Sequence, residues 1–415
     1  MDLVNLVLPV IYMITLFYTI FWLITFLDSK EEKKKVIKKF PLVSVVVPAY
    51  NEEDVILETL ESVIGLDYPK NKLDIIIVND GSTDSTKDVA EKFIDKHKGY
   101  DIKLINQANQ GKWVALNNAL KIAKGEFFTC LDADSSVEKA ALKKMLPYFT
   151  DNNVAAVLPL IKIKNPKGIL QKIQCYEYIV NFFYKKIMSS LNCIHVTPGP
   201  FGVYRKDIIN KIGGFRQGHN TEDMEIAFRL QKHQYKIIQL LNVNVYTYAP
   251  SSLKNFYFQR NRWNKGSILN VWDYRKMIFR KEYGDFGILQ MPMVLCAGFI
   301  AMTIIILVLF YNVFKPMFNS LHNLSLVDFD IFSFIANLNL NLNLLDFNYY
   351  KLIIIVVMIT LSLTVFTLAH KYTKQRLTSQ GITPLLVFIL FYYLLLGVIW
   401  LGITKDLIFK KAKKW

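Results

Sequence analysis

A chain of 415 residues that is 52% hydrophobic, with 29 Phe and 22 Tyr and a mean hydropathy of +0.24, has room for one large domain or two ordinary ones, part of it outside water. Its formal net charge of +16 would suit nucleic acid, but much of the lysine excess flanks apolar runs, as membrane topology requires, so no nucleic-acid partner is expected. The four cysteines (Cys130, Cys175, Cys193, Cys296) have no paired spacing and apolar surroundings, and read as reduced structural thiols.

The first element, 3–27, is an apolar run of the length a bilayer needs. It starts Met-Asp, is longer than a signal-peptide core, and is followed by Lys30, Lys33, Lys34, Lys35, Lys38 and Lys39. The expectation is an N-terminal transmembrane helix within 1–29 that places the next residues in the cytoplasm. Further apolar spans at 287–311, 352–368 and 382–403 make 287–415 a C-terminal transmembrane region, and the chain a multi-pass protein of the cell membrane. Strict alternation puts the tail outside, whereas Lys410, Lys411, Lys413 and Lys414 favour inside. The Asn-rich stretch with Asn337, Asn339, Asn341 and Asn343 is a poor lipid-facing span, so the side of the C-terminus stays open.

Between the spans, 41–280 reads as one cytoplasmic α/β domain. Strands are expected at 43–47, 75–78, 102–105 and 127–131, and helices at 54–64, 85–96 and 113–123. The continuous β-branched runs suit parallel strands buried on both faces, and the alternation implies right-handed βαβ units. Each polar cluster follows a strand directly, so Glu52, Asp80, Lys112, Asp132 and Asp134 should gather on one rim, where open α/β sheets bind ligands. Asp132 and Asp134 end an apolar strand one residue apart. As hard oxygen donors they suit a Mg²⁺ or Mn²⁺ that takes its other ligands from water and phosphates; a helix cap and turn is the plain alternative. Asp80 can accept from the imide N–H of a uracil-type base, Tyr50 can stack on it, and Lys112 can meet a phosphate. Neither a P-loop nor the Gly-rich dinucleotide motif is present.

The motifs Val46-Val47-Pro48-Ala49-Tyr50-Asn51-Glu52, Asn79-Asp80-Gly81-Ser82-Thr83-Asp84, Gly111-Lys112 and Asp132-Ala133-Asp134 resemble those of family 2 glycosyltransferases with the GT-A fold. Two later motifs, Thr221-Glu222-Asp223 and Gln259-Arg260-Asn261-Arg262-Trp263, resemble the catalytic-base and Gln-X-X-Arg-Trp motifs of processive membrane polysaccharide synthases of the poly-N-acetylglucosamine, chitin, hyaluronan and cellulose type. The matches run in order over about 42–270. The resemblance implies that Tyr50, Glu52 and Asp80 hold the nucleotide of a UDP-sugar and that Lys112 contacts its diphosphate. Asp132 and Asp134 would hold the Mg²⁺ or Mn²⁺. Asp223 would remove the acceptor proton, with adjacent Glu222 as its rival. Gln259, Arg262 and Trp263 would close over the diphosphate and position the acceptor. Asn79 stands where many relatives have Asp, which puts the base contact on Asp80.

Two amphipathic stretches, about 166–191 and 253–280, are expected at the membrane interface. For the first, which carries Lys172, Lys185 and Lys186, burial against the globular domain is the competing expectation. Pro198–Gly202 reads as a rigid turn and resembles the family's Gly-rich segment that lines the acceptor site, and His195 reads as structural. The implied reaction is inverting transfer of a sugar, UDP-GlcNAc or UDP-Glc being the favoured donor, to a growing polysaccharide that passes through the membrane. A single transfer to a polyprenyl phosphate or glycolipid acceptor is the alternative, because the spans are few for a channel. That shortage leaves room for an accessory membrane subunit or a homo-oligomer.

Overall fold

The computed structural model describes residues 3–29, 39–326 and 349–408. The lysine run Lys30 to Lys38, the Asn-rich stretch around 337–343 and the basic tail Lys410 to Lys414 lie outside the described residues.

One sheet organises the domain. Its strands are β1 (Val43–Ala49), β2 (Leu73–Asp80), β3 (Asp101–Gln107), β4 (Phe127–Cys130), β5 (Ser136–Val137), β6 (Val154–Ile163), β7 (Gly202–Arg205) and β8 (Lys236–Thr247), in the order β3-β2-β1-β4-β7-β6-β8-β5. The strands β3, β2, β1 and β4 are parallel neighbours, as are β6 and β8; β7 runs antiparallel between β4 and β6, and β5 antiparallel on β8. The four sequence-predicted strands and three helices are all present. The first two strands run longer than expected, because Pro48 to Ala49 and Asn79 to Asp80 stay in register beyond the apolar run.

Both faces of the sheet are buried, which is why β1 and β2 read as unbroken apolar runs. Val43, Val45, Val47, Ile75 and Ile77 meet the helices Ile56–Ile64 and Thr86–Lys96 on one face. On the other face Val46, Ile76 and Val78 pack with Ala115, Leu116 and Ala119 of the helix Lys112–Ile122, and with Ile226, Ala227 and Leu230 of the helix Glu222–Lys232.

The helix Gly168–Ser190 is sandwiched. Ile179, Phe183 and Ile187 join the sheet core, where Trp22, Val365 and Ala369 of the long apolar helices also pack. Ile173 and Tyr176 cluster instead with Phe256, Phe366, Phe388 and Tyr392. Most of its apolar residues thus meet protein, the sheet core on one side and the long apolar helices on the other, while Ile169 at its start is exposed.

Among the described residues, four helices are long and apolar enough to cross a membrane: Pro9–Asp28, Phe286–Ile304, Leu352–Tyr372 and Ile382–Asp406. They carry exposed large apolar side chains such as Met13, Phe17, Ile353, Leu390 and Phe391, the surface that lipid covers. This is a membrane protein, and its long helices pack directly on the α/β domain.

Candidate active site

The rim at the carboxyl ends of β1, β2 and β4 collects the polar motifs. The loops after β1 and β2 are laced together. Asn51 N–H donates to Ser82 Oγ (3.0 Å), Thr83 N–H to Asn51 Oδ1 (2.8 Å) and Glu52 N–H to Thr86 Oγ1 (2.8 Å). Tyr50 presents its ring at the rim, 48% exposed. Asp80 is buried. Its Oδ1 accepts from Gln107 Nε2 (2.8 Å) and Gln110 N–H (3.0 Å), and its Oδ2 from Gly111 N–H (2.9 Å). A carboxylate offers about four acceptor positions, so the chain already uses most of those on Asp80. Its most evident work here is to hold the turn that delivers Lys112, with a single position left for a ligand. Asn79 closes the turn after β2, accepting from Ser82 N–H (3.1 Å), and donates to Asn106 Oδ1 (3.0 Å).

Three carboxylates crowd the next loop. Burial, then the nearby Asp134, Asp132 and Asp84, push the Glu52 carboxyl up to about 7. Asp134 is likewise raised, by burial and by Asp132. Its Oδ1 accepts from Ser135 Oγ (2.9 Å). Like charges gathered this way favour a cation. Among the described residues no three His, Cys, Asp or Glu side chains form a complete metal cage. A divalent ion held by Asp132 and Asp134 would take its remaining ligands from phosphates and water.

Lys112 joins this loop to the other half of the site. Its Nζ lies 2.6 Å from Asp132 Oδ1 and 3.2 Å from Glu222 Oε1. Burial opposes the lysine charge, but the two carboxylates hold its pKa well above the ordinary value. Gly199 borders the same point. A Cβ there would lie 2.8 Å from Lys112 Nζ and 3.0 Å from Asp132 Oδ2, so a side chain at that position would displace the end of Lys112.

Glu222 and Asp223 open the helix Glu222–Lys232. Thr221 does not cap it. Its hydroxyl donates to Gly218 O (2.6 Å) and accepts from Asn270 Nδ2 (2.9 Å). The two acids differ. Burial raises Glu222, but the Lys112 ammonium beside it prevails and leaves the carboxyl below its usual value. Burial and the Glu222 charge push Asp223 up to about 6, against the opposing pull of Lys112, Arg262 and Lys185. Of the pair, Glu222 is held as a counter-ion and Asp223 is poised near neutrality, which suits a general base. Thr197 secures Asp223 by donating N–H (3.1 Å) and Oγ1 (2.8 Å) to its carbonyl.

The helix Leu253–Asp273 carries the last motif. Arg262 Nη1 donates to Asn220 O (3.0 Å), just ahead of Glu222 and Asp223. Trp263 is half-buried against Cys175, Tyr178 and Ala249, with the Arg260 guanidinium 4.2 Å from its ring centroid. Gln259 Oε1 accepts from Arg260 Nη1 (2.5 Å). His195 is half-buried; Gln290 Nε2 lies 2.9 Å from its Nδ1, and desolvation with nearby Lys185 lowers it to about 3, so the ring is neutral. Two features were not anticipated: Lys185 in the electrostatic field of Asp223, and the Glu177–Arg260 ion pair. The one visible signal was a Glu177 set among apolar neighbours in the stripe of the helix Gly168–Ser190.

Residues 44–213 match the profile described as glycosyl transferase family 2. The chain is 33% identical over 228 residues to a poly-β-1,6-N-acetyl-D-glucosamine synthase of Staphylococcus epidermidis, covering 54% of each chain. It is 28% identical over 266 residues to a β-monoglucosyldiacylglycerol synthase of Nostoc sp., covering 63% of this chain and 56% of that one. The chain thus spans about half the length of the curated relatives it matches. The mannosyltransferase PcManGT of Pyrobaculum calidifontis, solved with GDP-Man and Mn²⁺, superposes with a TM-score of 0.56 at 20% identity, over 71% of this chain and 82% of that one. At that identity the likeness is one of fold, the GT-A α/β sheet. Residues 44–213 of this membrane protein are accordingly a family 2 glycosyltransferase domain of GT-A fold.

Proposed function

We propose that the chain transfers a sugar from a UDP-sugar to a growing polysaccharide at the cytoplasmic face of a membrane, with inversion. The observation that carries this reading is the Lys112 ammonium bridging Asp132 and Glu222. It joins the donor loop to the base motif, 90 residues on by the numbering, in one site. The poly-N-acetylglucosamine synthase likeness over 228 residues supports UDP-GlcNAc as donor.

Tyr50, Glu52 and the remaining acceptor position of Asp80 take the nucleotide, and Lys112 turns from Asp132 to the diphosphate. Asp132 and Asp134 would hold Mg²⁺ or Mn²⁺, which when bound supplies positive charge to the leaving diphosphate. Asp223 takes the proton of the acceptor hydroxyl as that oxygen attacks the anomeric carbon, while Lys112 and Arg262 stabilise the departing anion. Gln259 and Trp263 position the acceptor.

Transfer to a membrane lipid is the second reading. It is favoured by the diacylglycerol-type relative and by only four candidate spans among the described residues. The test is full-length protein in lipid nanodiscs with Mg²⁺ or Mn²⁺ and radiolabelled UDP-sugars. A high-molecular-weight, glycosidase-sensitive product supports the first reading. A label confined to an organic-soluble single-sugar lipid replaces it with the second.

A further inference from the structure

Arg260 lies inside the last motif, yet its charge faces the protein interior. It is 2% exposed, and no phosphate could reach it without unpacking the fold. Its Nη2 donates to Glu177 Oε2 (2.5 Å) and its Nη1 to Gln259 Oε1 (2.5 Å). The guanidinium plane also lies 4.7 Å from the Phe256 ring centroid and 4.2 Å from that of Trp263. One buried cation therefore touches two of the three residues assigned to the acceptor.

Its counter-charge comes from elsewhere in the chain. Glu177 is 8% exposed and sits midway along the helix Gly168–Ser190. Tyr392, 5% exposed on the helix Ile382–Ile408, packs in one cluster with Tyr176 and Phe256 of the two helices, and Asn261 Nδ2 donates to Asp406 Oδ2 (3.3 Å) of the same helix as Tyr392. A buried pair of this kind is weak evidence for added stability, since an apolar pair of similar volume often serves as well. What an apolar pair cannot do is hold the Gln259 amide by a hydrogen bond and keep a planar cation against the Trp263 indole.

We propose that Glu177 is a positioning residue for the acceptor: through Arg260 it sets the rotamers of Gln259 and Trp263, tying the acceptor motif to the helix Gly168–Ser190 and to the last membrane helix. The meaning of Gln259 and Trp263 as acceptor contacts rests on the transferase reading above; the mechanical coupling does not.

The test compares Glu177→Gln with the double variant Glu177→Leu/Arg260→Leu, each full length in nanodiscs. The single change keeps shape but strands the Arg260 charge, so its melting temperature falls. The double change removes both charges and brings the melting temperature back toward wild type. If the pair only stabilises the fold, acceptor kinetics recover with it. If it positions the motif, the double variant keeps an acceptor KM raised about 10-fold or more, with the UDP-sugar KM within about twofold of wild type. Hydrogen exchange of the segment 259–263, read without any substrate, should be faster in the double variant than in wild type, with the sheet amides unchanged. Wild-type acceptor kinetics in the double variant, or unchanged exchange in that segment, overturns the proposal. Absence of sugar transfer by the wild type would instead overturn the transferase reading, and the exchange result would still decide the coupling.

Discussion

The proposed donor rim and the proposed acceptor side of the site are built by different means. On the rim, Tyr50, Glu52, Asp80 and Asp132 follow parallel strands that share one register, so backbone topology alone brings them together. On the acceptor side, the helices Glu222–Lys232, Leu253–Asp273 and Gly168–Ser190 have no ladder between them. They are placed by side-chain packing and by isolated polar pairs: Thr221 with Asn270, Arg262 with the Asn220 carbonyl, Arg260 with Glu177. A sheet tolerates the loss of one loop contact, because its other bonds keep the rim in place. A helix held by two or three side-chain contacts can shift as a body. Substitutions on the rim should therefore act locally on chemistry, and those on the acceptor side should combine lost stability with lost transfer.

The largest effect is expected where the two halves meet. Asp223→Asn keeps the size of the side chain and removes the base, so transfer should fall by ~10²–10⁴ while UDP binding, measured by calorimetry, persists. Retained turnover would move the base role to Glu222. Next comes the rim. Gly199→Ala places a methyl 2.8 Å from Lys112 Nζ and 3.0 Å from Asp132 Oδ2. A lysine end can swing away, so the fold should keep its melting temperature. The cost falls on the alignment of Lys112 with the diphosphate, and kcat/KM for the donor should drop ~10–100-fold. A variant with wild-type donor kinetics would show that Lys112 is not constrained by that turn.

Gly266→Ala tests the acceptor side by the same kind of change. Its methyl would sit 2.5 Å from both Thr221 Cγ2 and Oγ1, and Thr221 is buried and doubly bonded. The neighbour cannot swing aside, so the helix Leu253–Asp273 must move off the start of the base helix. Overpacking of this sort destabilises by ~1–3 kcal/mol, visible in chemical denaturation, with a milder loss of transfer than at Gly199. If Gly266→Ala were as stable as wild type and Gly199→Ala were not, the contrast between the two regions would be reversed.

The same contrast explains what could be read from the chain. The strands and their rim residues were legible because apolar runs and polar caps alternate within 43–134, and local periodicity reports that pattern directly. The order of β7, β6 and β8 was not, since β7 enters antiparallel between strands far from it in sequence. Asp80 was legible as a rim carboxylate, but its three internal hydrogen bonds depend on Gln107, Gln110 and Gly111 folding back on it. The helix Gly168–Ser190 shows a similar limit. An apolar stripe is the same whether it faces lipid or protein, and only the packing of Phe366, Phe388 and Tyr392 onto Tyr176 reveals its surroundings. Long-range ion pairs such as Glu177–Arg260 leave no spacing to detect.

The smallest effect concerns the electrostatics of the base. Burial and Glu222 push Asp223 up to about 6 from the ordinary 3.8, so transfer should rise with pH through about 6 as the carboxylate forms. Stability should run the other way. The folded state binds this proton more tightly than the unfolded chain, so the stabilisation is complete below the unfolded value and is lost as pH rises through about 6. Lys185 is the weakest of the charges that act on Asp223, behind Glu222, Lys112 and Arg262, and it favours the carboxylate. It is itself half-buried and lowered to about 8 by that burial. Lys185→Met removes this attraction, so the acid limb of kcat/KM should move to higher pH by less than about one unit. The plateau above it should change less than the limb does, because a shifted limb reports the base and not the binding of donor. A limb that stayed in place would take Lys185 out of the field of Asp223 and leave the acceptor side coupled to the base through Arg262 alone.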